Sequence, residues 1–146
     1  MPSDTIEERG EELAEEFAFL PDWTGRYEYV IGMGEKMPKI PEEEKSEETY
    51  VQGCQSDVWI QALYEEAGGV VRFRGDSNAD ITKGLTALLI RLLDEQTPSA
   101  IAAADLNVLD EIGLREHLSA QRQNGLDAMV EQMKARAGRY LEAEAG

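Results

Sequence analysis

The chain has 146 residues, and 30 acidic side chains against 14 basic ones give it a formal net charge of −16. Hydrophobic residues make up 42% of the chain, which is enough for a packed core and too many for a disordered protein. The scarce and dispersed basic residues argue against nucleic acid and anionic membranes as partners, and no apolar stretch is long enough to span a membrane.

The length is that of one domain, and we expect a single domain over residues 1–146. The first eight residues lack the basic and apolar regions of a secretory signal, which predicts a cytoplasmic protein. The acidity has two interpretations: a solvated surface, or adaptation to a salty cytoplasm. Composition alone does not decide between them.

The N-terminal part of the chain predicts two helices. Thr5 and Glu8 have the spacing of a capping box, which indicates that a first helix begins there. Pro21 is suited to begin a second helix, because proline at the first helical position loses no hydrogen bond. Gly32 and Gly34 are expected to end this second helix.

The middle of the chain predicts a loop followed by an antiparallel hairpin. Residues 36–50 contain two prolines and a run of acids, which indicates an extended loop. Residues 58–64 alternate in the period of a strand, Gly68-Gly69 predicts a turn, and residues 70–74 predict a second strand. The segment from Gly75 to Asn78 is expected to end the hairpin.

A third helix is predicted from near Asp80 to about Asp94, with an apolar face that should lie against the sheet. Gly84 in its middle costs about 1 kcal/mol relative to alanine. The expected compensation is the close approach of another backbone at this point.

The C-terminal part predicts helices again. Thr97-Pro98 begins a short helix, residues 105–118 predict short helical turns, and Ser119 is expected to cap a long final helix. Helices at both ends of a small antiparallel sheet predict an α+β fold.

Cys54 is the only cysteine and His117 the only histidine. One cysteine excludes an intramolecular disulfide and argues against a structural zinc or an iron–sulfur cluster, since these need about three or four such ligands. We therefore expect neither a metal nor a bound cofactor. Cys54 is either a packed small side chain, as free cysteines usually are, or a single reactive thiol.

The surroundings of Cys54 favour the reactive thiol. Gly53 allows unusual backbone angles beside it, and Gln55 and Ser56 offer polar hydrogens that could stabilise a thiolate or a persulfide. No cationic residue adjoins Cys54 in sequence, so activation has to come through space or from a partner. The candidates through space are Arg122, His117, Arg72 and Arg74.

The segment Val51-Gln52-Gly53-Cys54-Gln55-Ser56-Asp57-Val58-Trp59 resembles the active-site segment of the SufE family of cysteine desulfuration proteins. One departure is Ala120, where the family often has proline after the serine of its His-Leu-Ser motif. Further similar segments follow in the family's order across nearly the whole chain: Tyr27 to Gly32, Met37-Pro38, Gly75-Asp76-Ser77, Thr82 to Leu85, Thr97-Pro98, His117-Leu118-Ser119 and Arg122 to Leu126.

The resemblance implies a fold shared with IscU-type scaffolds, a small antiparallel sheet packed on helices. It implies that Cys54 takes a sulfane sulfur from the persulfide of a SufS-like cysteine desulfurase and passes it to a SufBCD-like scaffold for iron–sulfur cluster assembly. Pyridoxal phosphate would belong to the desulfurase, and the chain would stimulate that enzyme rather than act alone. The family is described as holding this cysteine in a cavity until the desulfurase binds. Arg122 matches an arginine that stabilises the thiolate or contacts the partner.

Several alternatives stay open at this stage, two for single residues and three for the chain as a whole. Arg122 is equally well explained as a surface residue paired with an acid, and His117 as a structural hydrogen-bonding residue. The chain as a whole could be a cluster scaffold, although one thiol is too few, or a thiol hydrolase using Cys54 and His117. It could also be a non-catalytic acidic adaptor with a structural Cys54. The sequence leaves the choice between monomer and homodimer open.

Overall fold

The structure, a computed structural model, describes residues 4–145. Single turns of 3-10 helix lie at Glu42–Glu44 and Arg115–His117. The helices and strands of the described range, in chain order, are α1 (Ile6–Ala18), α2 (Trp23–Lys36), β1 (Val58–Glu65), β2 (Val70–Ser77), α3 (Asp80–Leu93), α4 (Pro98–Ala102), α5 (Val108–Glu111), α6 (Ala120–Gly138) and α7 (Leu141–Ala145). The expected α+β class with a small antiparallel sheet is confirmed.

The N-terminal segment that bears on the absence of a secretory signal lies partly outside the described residues, because the description begins at residue 4. None of the helices described is long and apolar enough to cross a membrane.

The ends of several helices follow from their capping residues. The capping box at α1 is confirmed: the Thr5 hydroxyl accepts from the Glu8 N–H, and the Glu8 carboxylate accepts from the Thr5 N–H, both at 3.1 Å. The Ser119 hydroxyl accepts from the Arg122 N–H at 3.2 Å, which confirms the expected start of α6. The cap of α2 is Asp22 rather than a start at Pro21, since the Asp22 carboxylate accepts from the Gly25 N–H at 2.8 Å.

The expectation that Gly32 and Gly34 end the second helix is wrong, because α2 continues through both glycines to Lys36. Gly34 instead marks the place where α2 and α3 touch: a Cβ built there would lie 2.9 Å from the Gly84 nitrogen. A Cβ built on Gly84 would lie 2.3 Å from the Val30 carbonyl oxygen. The predicted reason for Gly84, close approach of another backbone, is therefore confirmed.

The two strands pair in antiparallel register from Val58 opposite Ser77 to Glu65 opposite Val70. The second strand is longer than expected, since the segment expected to end the hairpin is part of β2 up to Ser77. Gly75 permits this, because a Cβ there would lie 2.9 Å from the Thr86 side chain of α3 and 3.1 Å from the Trp59 carbonyl. The helix thus lies directly on the strand.

The core forms where α3 packs against both α2 and β2, while α6 contacts β1, α3 and α4. The apolar face of α3 is buried as expected. Its fully buried side chains are joined by residues of both strands and of α6, among them Leu85, Leu88, Leu89, Leu92, Val58, Ile60, Val71, Phe73, Leu126, Met129 and Met133. Helix α6 and strand β1 are therefore in contact, and the segment that precedes β1 lies next to both.

Candidate functional site

The lone cysteine lies at the tip of a hairpin, defined here as residues 49–60 and called the cysteine hairpin. Its two arms pair through a bridge between Tyr50 and Trp59. The Val51 N–H donates to the Val58 carbonyl at 2.9 Å, and the Ile60 N–H donates to the Thr49 carbonyl at 2.8 Å. The second arm continues into β1, so residues 52–57 project from a rigid base.

The far end of the tip is fixed to the end of β2 through Asp57. The Ser77 hydroxyl donates to the Asp57 carbonyl at 2.7 Å, and the Asp57 N–H donates to the Asn78 side-chain oxygen at 3.0 Å. The Tyr50 hydroxyl also donates to the Asp57 carboxylate at 3.0 Å. These contacts tie the tip down directly after Cys54, Gln55 and Ser56.

The Cys54 thiol is half-buried against helix α6. Its Sγ donates a weak hydrogen bond to the Gly125 carbonyl at 3.6 Å. Gly53 has φ +95°, a left-handed angle that a side chain would strain, and a Cβ there would lie 3.2 Å from the Cβ of Ala128. The glycine beside the thiol is therefore required both by its backbone angle and by the nearness of α6.

A cavity of about 10 Å³ adjoins the thiol, which is close to the space that one water molecule needs. Three structural elements supply its walls: the hairpin tip, α3 and α6. The lining residues are Cys54, Gln55, Ser56, Thr82, Leu85, Gln121, Arg122, Gly125 and Met129. The arrangement has room for one small atom next to Sγ.

Burial raises the pKa of the Cys54 thiol, and no charge among residues 4–145 offsets this effect. The thiol is consequently protonated at neutral pH in the free protein, since the ordinary pKa of a cysteine is already about 8.5. At a given pH, exposure of the thiol or a partner's positive charge would increase the thiolate fraction. Burial thus disfavours the thiolate, which is the reactive form of the cysteine, in the free protein.

Of the four cations proposed from the sequence, Arg122 alone lines the cavity together with Cys54. It is half-buried in the first turn of α6, and none of the hydrogen bonds among residues 4–145 joins it to Sγ. Arg72 pairs with acidic side chains at the other end of β2, and Arg74 pairs with Glu44 at 2.9 Å. Neither of these two arginines reaches the site.

His117 is occupied elsewhere. Its Nδ1 lies 3.0 Å from the Gly113 carbonyl, and its ring stacks on Trp23 with 3.8 Å between ring centroids. It does not line the cavity at Cys54, so the nucleophile–base pair that a thiol hydrolase needs is not assembled. The structural explanation of His117 is the one that these contacts support.

Within residues 4–145, no group of three or more His, Cys, Asp or Glu side chains is placed to hold a metal ion.

Sequence reasoning missed the residues that hold the hairpin in place. The sequence places Ser77 and Asn78 in the segment expected to end the hairpin, and it does not single out Arg136, whose guanidinium bonds to carbonyls of the hairpin. Arg136 lies between Met133 and Ala137 on the apolar face of α6. A charged residue on that apolar face was the one feature of the sequence that could have pointed to Arg136.

The chain is similar to one family of known proteins. A family model described as "SufE: Fe-S metabolism associated domain" matches residues 11–137. A SufE-like protein of Rhizobium meliloti (strain 1021) is 38% identical over 136 residues, covering 91% of this chain and 97% of its own length. A SufE-like protein of Rhizobium etli is also 38% identical, over 130 residues, with 87% and 88% covered.

A solved structure has the same fold. The solution structure of a hypothetical protein from Thermus thermophilus superimposes with a TM-score of 0.76 at 25% sequence identity. The match covers 92% of this chain and 96% of that protein.

Proposed function

Because the chain belongs to the SufE family and so has a role in iron–sulfur metabolism, we propose that Cys54 accepts and carries a sulfane sulfur atom. The observation that carries the proposal is the position of the lone thiol. It lies at the tip of the cysteine hairpin, half-buried against Gly125, beside a cavity with room for about one atom.

The chemistry is a thiol exchange in which no electrons are gained or lost overall. The Cys54 thiolate attacks the outer sulfur of a persulfide on the donor protein, and the donor's sulfur–sulfur bond breaks. The donor cysteine leaves as its thiolate, and the outer sulfur, with its proton, becomes the terminal sulfur of a Cys54 persulfide. A second thiol close by would reduce this persulfide and release sulfide, so a single cysteine suits a carrier.

Because the pKa of Cys54 is raised in the free protein, we expect docking of the donor to produce the reactive thiolate. In the free protein the thiol is protonated and faces α6, which keeps it from reacting with other electrophiles. Docking of the donor would draw the tip away from Gly125, remove the burial and lower the pKa towards its ordinary value. After transfer, return to the cavity would shelter the added sulfur from reductants.

The partners in this proposal are a SufS-like cysteine desulfurase as donor and a SufBCD-like scaffold as acceptor. Pyridoxal phosphate stays with the desulfurase, and this chain contributes a thiol rather than a bound cofactor. The chain is a transpersulfidation partner of the desulfurase and not a stand-alone enzyme. The reaction belongs in the cytoplasm, where thiols are kept reduced.

The test is a cysteine desulfurase assay with the wild-type protein and with the Cys54→Ser and Cys54→Ala variants. Wild type should increase sulfide production in the presence of a reductant, and both variants should lose the increase while keeping the circular dichroism and melting temperature of a folded protein. If either variant still stimulated the desulfurase, Cys54 would be structural, and the adaptor interpretation would replace the carrier.

A further inference from the structure

Arg136 is a buried cation whose side chain faces the cysteine hairpin. It lies on α6 with 7% of its surface exposed. One terminal nitrogen donates to the Thr49 carbonyl at 3.1 Å and to the Ile60 carbonyl, and the other donates to the Tyr50 carbonyl at 2.9 Å. One guanidinium therefore bonds to both arms of the hairpin.

These three carbonyls lie at the base of the hairpin. Thr49 also accepts from the Ile60 N–H, so Arg136 reinforces the rung on which the two arms meet. Tyr50 is the next residue on the first arm and pairs with Trp59. The planar fork of an arginine can reach several acceptors at once, which the single nitrogen of a lysine does with less defined geometry.

Packing alone does not explain an arginine at this position. Burial lowers the pKa of Arg136, and no carboxylate of the described residues lies within ion-pair distance of it. Its Nε is buried without a hydrogen-bond partner. An apolar side chain between Met133 and Ala137 would avoid this desolvation, so the contact with the hairpin carbonyls is what the arginine provides.

Helix α6 holds the hairpin at two places. Gly125 lies against the thiol at the tip, and Arg136 binds the base, eleven residues or about 16 Å further along the same helix. The two contacts together set the distance and angle at which Cys54 lies over α6.

We propose that Arg136 is a positioning residue for sulfur transfer, which fixes the base of the cysteine hairpin so that the thiol is both sheltered in the resting state and presented correctly to the donor. The inference rests on the proposed carrier function of Cys54. It adds a residue that touches neither the thiol nor the cavity.

The first test measures how fast iodoacetamide labels Cys54 in the folded protein at increasing, sub-denaturing concentrations of urea. The variants are Arg136→Met, Arg136→Lys and the matched control Lys134→Met. Lys134 also lies on α6 and also donates to a backbone carbonyl, that of Ala104 at 2.6 Å, away from the hairpin. The control thus removes the same charge and the same kind of contact.

We expect Arg136→Met to raise the labelling rate at zero urea by about tenfold or more, with little dependence on urea, because local release of the hairpin exposes little surface. Arg136→Lys should lie between Arg136→Met and wild type, and Lys134→Met should label as wild type does. A merely structural role predicts labelling that rises steeply with urea, together with global unfolding. That result, or an unchanged rate in Arg136→Met, would overturn the proposal. If Arg136→Met does not fold, Arg136→Lys decides by the same criterion.

The second test measures sulfur loading of Cys54 from a cysteine desulfurase under single-turnover conditions. At limiting desulfurase, Arg136→Met should be loaded roughly tenfold more slowly than wild type, because its thiol is misplaced. Arg136→Lys should be loaded at an intermediate rate, and Lys134→Met at the rate of wild type. Equal loading by wild type and Arg136→Met would overturn the proposal. If wild type itself were not loaded, the carrier function would fail, while the labelling result would still decide the role of Arg136 on the hairpin.

Discussion

Glycines lie at the contact between α2 and α3 and at the contact between the cysteine hairpin and α6, and the two contacts differ in how much space they leave. Between α2 and α3, a Cβ on Gly84 would lie 2.3 Å from the Val30 carbonyl oxygen, a distance that no folded protein accommodates without movement of the backbone. Between the cysteine hairpin and α6, a Cβ on Gly125 would lie 3.5 Å from the Cys54 Sγ, which is ordinary van der Waals contact.

The difference separates a glycine that the fold requires from a glycine that the proposed carrier function would use. At the α2–α3 contact the two backbones touch, so the glycine is a condition of folding. At the site the helix would accept a methyl group, so folding does not require the space that Gly125 leaves beside the thiol. Substitutions at the two places should accordingly change different quantities.

The largest effect on stability is expected from Gly84→Ala. Overpacking against a backbone atom costs about 3 kcal/mol or more, and the gain in helix propensity returns about 1 kcal/mol. The free energy of unfolding, measured with urea, should fall by about 2 kcal/mol or more. Gly32→Ala is the matched control in α2, because nothing lies within 4 Å of a Cβ there.

Gly32→Ala should instead stabilise the protein by about 0.5–1 kcal/mol through helix propensity alone. Equal effects of the two alanines would show that the close contact of α2 with α3 does not limit stability, and the comparison between the two regions would lose its basis.

Gly125→Ala should leave the stability of the fold unchanged and weaken the retention of the carried sulfur. The methyl group contacts Sγ at an ordinary distance but occupies space beside the cavity of about 10 Å³ that the added sulfur would enter. We expect unchanged or slightly higher thermal stability and faster loss of the sulfur from loaded protein in dithiothreitol. A loaded variant as resistant to reductant as wild type would show that the cavity does not shelter the persulfide.

The pH dependence of Cys54 labelling should report the burial of the thiol. The pKa of Cys54 is raised, so labelling of the free protein should increase about tenfold per pH unit and level off only above the ordinary cysteine pKa of about 8.5. The sign for stability follows from the same shift: the contribution of this group is present below the unfolded-state pKa and is lost as pH rises through the higher folded-state pKa.

Sulfur loading at saturating desulfurase should level off at a lower pH than labelling of the free protein, because docking removes the burial. Identical profiles for labelling and for loading would contradict exposure of the thiol by the donor.

The smallest effect is expected from Arg122→Ala on the free protein. Arg122 lines the cavity, but burial alone accounts for the raised pKa of Cys54. The labelling profile should therefore stay the same, and any loss should appear only in loading from the desulfurase, as for a partner contact. A higher labelling pKa in the variant would instead establish that Arg122 stabilises the thiolate.

Local patterns were sufficient to predict much of the fold. The caps at Thr5 and Ser119, the alternation in β1 and the apolar face of α3 all act between residues close in sequence, and each is found in the structure. The glycines of α2 were interpreted wrongly for the same reason, since Gly34 is explained by α3, which lies far along the chain.

The features of the site also divide into those that the sequence predicts and those that only the folded chain shows. The sequence points to Cys54 and Gly53 through their chemistry, and to Arg122 both as a candidate cation and through resemblance. It did not reveal that Asp57 is held by Ser77 and Asn78, or that Arg136 binds the base of the hairpin, because those contacts join segments that meet only in the folded chain. Burial of the thiol, and hence its raised pKa, likewise follows from the packing of α6.

The central claim, that Cys54 carries a sulfane sulfur, is tested most directly by the intact mass of the protein after incubation with a cysteine desulfurase and cysteine. Wild type should gain about 32 Da, the mass of one sulfur atom, the gain should disappear with dithiothreitol, and peptide analysis should locate it on Cys54. Cys54→Ser under the same conditions should gain nothing. An unmodified wild-type mass, with the desulfurase demonstrably active, would contradict the claim.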